Sequence, residues 1–188
     1  AGAHHIRFER AIVATNAWAR ELVPELDAIL TPHRAQVLVT APLPIVLDRP
    51  CYANHGYDYF RQRNDGSLIL GGRRHLHLGA EATDDARATP DIQHALEDFL
   101  RAHVPFTARA TIARRWAGIM GLTPDSVPIV GALPRAPQSI SLLAGFSGHG
   151  LGLALGCAEA LAAQLDGDGR ALPSVLDPAR FPTILRGR

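Results

Sequence analysis

The chain has 188 residues, of which 47% are hydrophobic and 20% are charged, and its formal net charge at pH 7 is +1. This composition is typical of a globular chain with one or two hydrophobic cores. It gives no electrostatic basis for binding nucleic acid, and no apolar run approaches the roughly 20 residues that a membrane-spanning helix needs. We expect no nucleic-acid partner and no membrane partner.

The two cysteines indicate neither a disulfide framework nor a metal site. Cys51 and Cys157 lie far apart, and neither belongs to a CxxC or CxxH pattern. The pattern His75-x-His77 would place two imidazoles on one face of a strand, but no third ligand stands at metal-site spacing, so we expect a solvated strand edge. No metal is expected, and the cytoplasm is the default location.

The first residues suggest that the chain continues upstream. It opens on Ala1-Gly-Ala-His-His without a methionine and moves almost at once into a buried-strand run, Ala11-Ile-Val-Ala14. We therefore expect a fragment, or one half of a split protein.

Hydrophobic periodicity and turn residues predict the elements of the first half. In chain order these are a strand over 11–14 ending in a polar turn at Asn16, a short helix over 17–26 stopped near Pro24, and a strand over 36–40 closed by Ala41-Pro-Leu-Pro44.

A β-hairpin follows. The β-favouring runs 57–63 and 67–71 flank the turn Asn64-Asp-Gly66, in which Gly66 can adopt a positive φ. The period of two places Tyr57, Tyr59 and Arg61 on one strand face. They are either a pocket wall or ordinary sheet packing.

The second half begins with a polar connector over 80–89 and a helix over 90–103 whose apolar residues recur at helical spacing. A long β-type run over 107–119 carries Arg114 and Arg115, for which we expect surface salt bridges. The remaining predicted elements are a turn over 123–128, a strand over 129–131, a strand-turn-helix unit from Ser139 that ends at 166–169, and a terminal turn or short helix over 173–181. Together they predict an α+β fold: a mainly antiparallel sheet with helices at one side and a terminal strand-helix unit.

The strand-turn-helix unit is the most informative stretch. The apolar run Ile140–Ala144 enters a glycine-rich turn, and a helix rich in alanine, leucine and glycine leaves it. Such a corner directs backbone N–H groups and the positive end of a helix at one spot, which favours negative charge.

Two familiar motifs do not fit this corner. Gly150-Leu-Gly-Leu-Ala-Leu-Gly156 is close to G-x-G-x-x-G, but its third glycine comes one residue late and no strand ending in an acidic residue follows. A hydrolase elbow would need a glycine where His149 stands. The glycines serve either tight helix-sheet packing or close approach of the backbone to a ligand, and their place at the corner favours the second.

The chain as a whole resembles the FAD-dependent D-amino-acid-oxidase superfamily, and within it the sarcosine, glycine and γ-glutamylputrescine oxidase-like branch. The resemblance runs in the family's order through these segments: Ile12–Trp18, Arg34–Leu38, Tyr59–Gln62, Asp65–Arg73, Trp116–Gly118, Thr123–Gly131, Ala144–Gly150 and Asp177–Phe181. It implies the C-terminal half of such an enzyme. The N-terminal Rossmann segment, with its G-x-G-x-x-G, is not in this sequence.

The resemblance implies three parts and a chemistry. Residues 1–31 would be a remnant of the FAD-binding domain, 32–115 a substrate-binding sheet domain, and 116–188 the return to the FAD-binding domain. In such enzymes a hydride passes from the amine's C–H to flavin N5 and gives an imine, which water hydrolyses. A small-molecule amine or amino acid is the implied substrate. The implied partner is an N-terminal Rossmann segment or chain, without which FAD binding is expected to be poor.

The resemblance also implies site residues. The implied cofactor-binding residues are Thr15, Asn16, Ala17, Gly118, Ile119, Gly145, Phe146, Ser147, Gly148, His149 and Gly150. The substrate candidates are Tyr57, Tyr59, Arg61 and Met120. The catalytic residue is unknown, because hydride transfer from a neutral amine does not strictly require a general base.

Departures from the family pattern bear on substrate and cofactor. Where relatives hold a carboxylate with a basic side chain, this chain has Met120, Gly148 and Gly152, so a tightly held α-carboxylate is not expected. Gly118 stands where sarcosine oxidases link a cysteine to the flavin, so FAD should be non-covalent. Ile69 replaces a lysine associated with oxygen reactivity, which leaves oxidase and dehydrogenase both open. The alternative function is a non-catalytic fragment or accessory subunit that needs a partner.

Overall fold

The structure of the protein is a computed structural model, and it describes residues 4–134, 139–168 and 171–182. The chain forms two compact units. The first comprises residues 1–32 and 120–188, and the second comprises residues 33–119. Gly169, the last residue of the predicted helix end, lies outside the described residues. Among the described residues, no helix is both long and apolar enough to cross a membrane.

The first unit contains a three-stranded sheet. Its central strand is β8 (Ile140–Ala144), which pairs in parallel with β1 (Ala11–Val13) and antiparallel with β7 (Ile129–Ala132). The helix α4 (Gly150–Asp166) follows β8, and Gly167 at φ +73° ends it in the left-handed conformation that glycine favours. The segment after β1 contains the short helix α1 (Ala19–Leu22).

Apolar side chains from both ends of the chain form the core of this unit. One cluster joins the segment after β1 to β7 and β8, and another packs α4 on the sheet. The largest fully buried side chains of these two clusters are Leu26, Leu30, Ile129, Leu142 and Leu161.

The second unit is built on a five-stranded sheet with the order β3-β4-β5-β2-β6. These strands are β2 (Thr31–Thr40), β3 (Cys51–Ala53), β4 (Asp58–Gln62), β5 (Leu68–Gly72) and β6 (Ile112–Leu122). Neighbouring strands from β3 through β4 and β5 to β2 are antiparallel. The short helix α2 (Leu78–Glu81) and the longer α3 (Pro90–His103) complete the unit.

The helix α3 covers one face of this sheet because its apolar residues recur every three to four positions. Ile92, Leu96 and Phe99 are buried in one cluster with Leu68 and Leu70 of β5. The predicted limits of α3 are confirmed, and so are the hairpin of β4 and β5 and the strand β8. The α+β fold with antiparallel sheets and flanking helices is also confirmed.

A buried ion pair anchors the connector after α2. Arg34, on β2, donates two hydrogen bonds to the Glu81 carboxylate, at 3.0 and 2.7 Å, and Gln36 Nε2 donates to the same group. Arg34 is 5% exposed and Glu81 is 1% exposed. The hydrogen bond to Glu81 is the main cause that raises the pKa of Arg34.

The predicted stop near Pro24 is confirmed. The helix α1 ends at Leu22, Val23 at φ −132° and ψ 86° interrupts it, and a separate 3-10 turn over Pro24–Ala28 follows, with proline at its first position. One expectation about element limits is wrong, because the run from Thr107 does not begin a strand. Thr107 ends a 3-10 turn and its hydroxyl donates to the Val104 carbonyl at 2.7 Å, a local bond that competes with a sheet ladder.

One expectation about side-chain placement is also wrong. His75 and His77 lie in a 3-10 turn, not on a strand, because Gly72 at φ +137° and Arg73 at φ +61° end the ladder of β5. Tyr57 lies just before β4, at φ −77° and ψ −12°, so the period of two does not extend to it.

Candidate functional site

The corner between β8 and α4 has a backbone that few sequences can adopt. Gly145, Ser147 and Gly148 have φ values of +73°, +51° and +88°. A Cβ at Gly145 would lie 2.5 Å from Thr123 Cγ2, so only glycine fits there. The turn is therefore shaped by its glycines and by what they pack against.

Ser147 attaches this corner to the loop after β6. It is buried, and its hydroxyl oxygen accepts a hydrogen bond from the Thr123 N–H at 3.1 Å. The same oxygen lies 3.2 Å from Thr123 Oγ1 and 3.2 Å from the carbonyl oxygen of Gly145. The left-handed backbone of Ser147 is thus held by its own side chain.

Gly121 joins the corner to the turn after β1. Its carbonyl accepts a hydrogen bond from the Ser147 N–H at 3.0 Å, and its own N–H donates to Asn16 Oδ1 at 3.0 Å. A Cβ at Gly121 would lie 3.3 Å from Ala17 Cα, so the turn packs directly on the glycine. Three separate stretches of the chain therefore meet within the first unit.

Some backbone N–H groups of the corner donate no hydrogen bond to a described residue. The N–H of His149 donates to the Phe146 carbonyl at 2.8 Å. Within the described ranges, no hydrogen-bond acceptor faces the N–H groups of Gly148, Gly150 and Leu151. These donors stand at the start of a 17-residue helix that has no acidic residue in its first turn and no side-chain cap. The corner therefore has a positive potential.

Space in front of the corner is open. Gly148 and His149 are exposed, and a Cβ at Gly148 would meet only Met120 Sδ, at 3.3 Å. The His149 ring is oriented by its Nδ1, which lies 3.1 Å from the carbonyl oxygen of Ser147.

The structure brings together most of the residues predicted to contact a cofactor. Thr15, Asn16 and Ala17 form the turn that packs on Gly121, and residues 145–150 form the corner. Gly118 is exposed on β6 and Ile119 beside it is half-buried. Sequence reasoning assigned no role to Thr123, although its Thr-Pro-Asp motif was a usable signal.

Among the substrate candidates of the second unit, Tyr59 has a defined position. It lies on the sheet face opposite α3, and its ring covers Gly71, where a Cβ would come within 2.4 Å of it. Arg61 is exposed on the same strand. Burial is the largest cause that raises the pKa of Tyr59.

Comparison with known proteins identifies the class. Residues 1–164 match the family model of FAD-dependent oxidoreductases designated DAO. The chain belongs to this family, and the predicted resemblance is confirmed.

Curated relatives are similar over most of this chain. Glycine oxidase from Pseudomonas aeruginosa is 26% identical over 178 residues, which cover 94% of this chain and 46% of the relative. Gamma-glutamylputrescine oxidoreductase from Escherichia coli is 28% identical over 180 residues, or 91% of this chain and 40% of the relative. The chain spans less than half the length of these relatives.

Solved structures share the fold. L-proline dehydrogenase from P. horikoshii matches with a TM-score of 0.71 and 27% identity, covering 92% of this chain and 47% of the other. Glycine oxidase from Geobacillus kaustophilus matches with a TM-score of 0.77 and 19% identity over 92% of this chain.

The corner fits the FAD that membership of this family implies. Unused backbone donors at an uncapped helix start suit the electron-rich edge of a flavin, which becomes more negative on reduction. The absence of a side chain at Gly148 lets a ring approach those donors.

Proposed function

We propose that this chain is the C-terminal portion of an FAD-dependent oxidoreductase that oxidises an amine or amino acid to an imine. The observation that carries the proposal is the corner at Gly145–Gly150, with its unused N–H donors and its links to Gly121 and Asn16. Residues 1–31 and 116–188 then serve the cofactor, and residues 32–115 serve the substrate.

In this proposal the protein supplies binding, orientation and charge stabilisation. When bound, FAD would supply the acceptor for the hydride from the carbon next to the amine. The N–H groups of Gly148, Gly150 and Leu151 would donate to the part of the cofactor that gains negative charge, and the corner holds them in place before the reaction. Preorganised donors of this kind contribute about 3 kcal/mol each in other enzymes. Gly118 offers no thiol, so the cofactor is held without a covalent bond.

The substrate is an amine without a tightly held α-carboxylate, and a γ-glutamylputrescine-like amine is the first candidate. Met120 and Gly148 contribute no basic side chain near the corner. Structural relatives carry the names iminodiacetate oxidase and L-proline dehydrogenase, which supports amine oxidation as the reaction class. Tyr59, Arg61 and Met120 remain candidates for substrate contact.

An N-terminal segment completes the cofactor site in this proposal. β1 is an edge strand that pairs in parallel with β8, and Ile12 on it is 50% exposed. On α4, Leu151 is 104% exposed and Leu155 is 72% exposed. A strand-helix unit that adds a parallel strand to β1 would cover such apolar side chains. The cytoplasmic location stays a prediction.

Two preparations test this proposal: the present chain alone and the complete protein with its N-terminal segment. We expect flavin absorbance from the complete protein and bleaching on anaerobic addition of the substrate amine. We expect the isolated chain to be colourless and to turn yellow only with its N-terminal partner. A complete protein that binds FAD but is not reduced by any amine would support the accessory-subunit alternative.

A further inference from the structure

Among the residues that the structure describes, none supplies a counter-ion to the half-buried cation Arg74. Within the described ranges it forms no hydrogen bond and no ion pair, whereas its neighbour Arg73 pairs with Asp58 at 3.2 Å. Its guanidinium carbon lies 4.6 Å from the centroid of the Tyr57 ring. A guanidinium stacked on an aromatic ring keeps its N–H donors directed outward at its edge, where they match a carboxylate.

The two neighbouring arginines contact different aromatic rings. Arg73 lies 5.7 Å from the centroid of the Phe99 ring of α3. Arg74 instead lies on Tyr57, whose ring is 5.0 Å from that of His75. After the larger effect of burial, the charge of Arg74 also lowers the pKa of His33, which favours a neutral His33 ring in its neighbourhood.

The surroundings of Arg74 form an aromatic floor with a positive end. Tyr59 covers Gly71, and Tyr52 is its cross-strand neighbour on β3. Tyr52 is 69% exposed, and a Cβ at Gly56 would lie within 2.1 Å of its hydroxyl oxygen. The tyrosines are therefore held by glycines that leave room for the rings, and the floor suits an aliphatic chain that ends in an anion.

We propose that Arg74 binds a carboxylate located on the substrate away from the reacting amine, so that the preferred substrate is an amine with a remote carboxylate. This inference rests on the proposed function. A partly desolvated guanidinium without a partner gains its hydrogen bonds when such a substrate binds. It also gives the protein an anion site, although Met120, Gly148 and Gly152 provide none.

The test uses the complete FAD-loaded protein with 6-aminohexanoate and with hexylamine, an amine of the same chain length that lacks the carboxylate. Arg74→Gln should raise KM for 6-aminohexanoate about 30-fold, as expected for lost charge-assisted hydrogen bonds, and leave KM for hexylamine unchanged. Arg74→Lys, which keeps the charge but not the planar fork, should give a smaller rise. Arg101→Gln, an exposed arginine on α3, is the matched control.

Binding of hexanoate, measured by calorimetry, gives a readout that does not depend on turnover. The wild type should bind it, and Arg74→Gln should weaken binding by the same factor. Inorganic phosphate tests whether Arg74 binds any free anion. Equal binding of phosphate and hexanoate at Arg74 would overturn the inference. Equal binding of hexanoate by the wild type and by Arg74→Gln would also overturn the inference. The proposed function would still stand in that case if hexylamine reduced the flavin. If no amine reduces the flavin, the proposed function fails instead.

Discussion

The Oδ1 atom of Asn16 accepts a hydrogen bond at 3.0 Å from the N–H of Gly121, which lies 105 residues further along the chain. Gly121 is bonded on its other side to Ser147. One residue of β6 therefore links the turn after β1 to the corner before α4. Asn16 has φ +54°, a conformation that asparagine tolerates better than most residues.

Replacing Asn16 should loosen this link. Asn16→Ala leaves the buried N–H of Gly121 without its acceptor and places alanine in a left-handed conformation, so we expect the free energy of unfolding to fall by about 2–3 kcal/mol. Asn16→Asp keeps an acceptor oxygen and the tolerance for positive φ, and should lose less than about 1 kcal/mol. Urea denaturation of the complete protein measures both. Equal losses in the two variants would show that the hydrogen bond is not the stabilising feature.

Gly148 should be needed for the cofactor more than for folding. Gly148→Ala strains a backbone at φ +88° and places a methyl group in the open space before the donors. We expect FAD affinity, measured by fluorescence titration, to fall about tenfold or more. Gly79→Ala is the control, because a Cβ there meets nothing within 4 Å. Unchanged affinity in Gly148→Ala would remove the corner from the cofactor site.

The buried pair of Arg34 and Glu81 should matter far more than an exposed pair on α3. Glu81→Gln removes the carboxylate that is hydrogen-bonded to buried Arg34 and leaves, among the described residues, only the Asp85 carboxylate, at 3.9 Å, so we expect a loss of about 3 kcal/mol in the free energy of unfolding. Asp98→Asn breaks the contact with Arg101, in which both side chains are more than half exposed, and should change it by less than about 1 kcal/mol. Urea denaturation followed by circular dichroism compares them. Similar losses of unfolding free energy in Glu81→Gln and Asp98→Asn would show that burial does not strengthen the pair of Arg34 and Glu81.

Asp125 should make stability depend on pH in acid. The Arg180 guanidinium, which donates to its carboxylate at 2.8 and 3.2 Å, lowers the pKa of Asp125 to about 2. In the unfolded chain the pKa of an aspartate is about 3.9. Because the pKa of Asp125 is lower in the folded state, its ionised carboxylate stabilises the fold at pH values above about 3.9, and this stabilisation is lost as the pH falls towards 2. Because the Asp125 side chain is 37% exposed, we expect the pair to contribute only about 1 kcal/mol to the free energy of unfolding.

The comparison is between wild type and Asp125→Asn, unfolded by urea at several pH values from 5 to 2. The wild-type free energy of unfolding should fall more steeply over this interval than that of Asp125→Asn. Asp65 and Asp85, whose pKa values are also lowered by hydrogen bonds, contribute equally to both proteins. Parallel pH profiles would show that the Asp125–Arg180 pair does not contribute.

Local patterns predicted the strongest elements of this fold. The limits of α3 follow from Pro90 at its start and from its helical apolar spacing, and the hairpin of β4 and β5 follows from Gly66, which adopts φ +83°. Local patterns failed where backbone geometry departs from the period of the sequence. Tyr57 follows the turn over Asn54–Gly56 and lies outside β4, and no period of two can reveal that.

The sequence by itself determined that β8, a glycine turn and α4 form a corner with exposed N–H donors, because backbone conformation there depends on nearest neighbours. Only the tertiary structure decided which groups hold that corner. The bonds of Gly121 to Asn16 and to Ser147 join residues far apart in sequence, and their formation depends on how β1, β6 and β8 pack. The same holds for Arg74, which stacks on Tyr57, because only the tertiary structure decides whether a described acidic side chain comes close enough to pair with it.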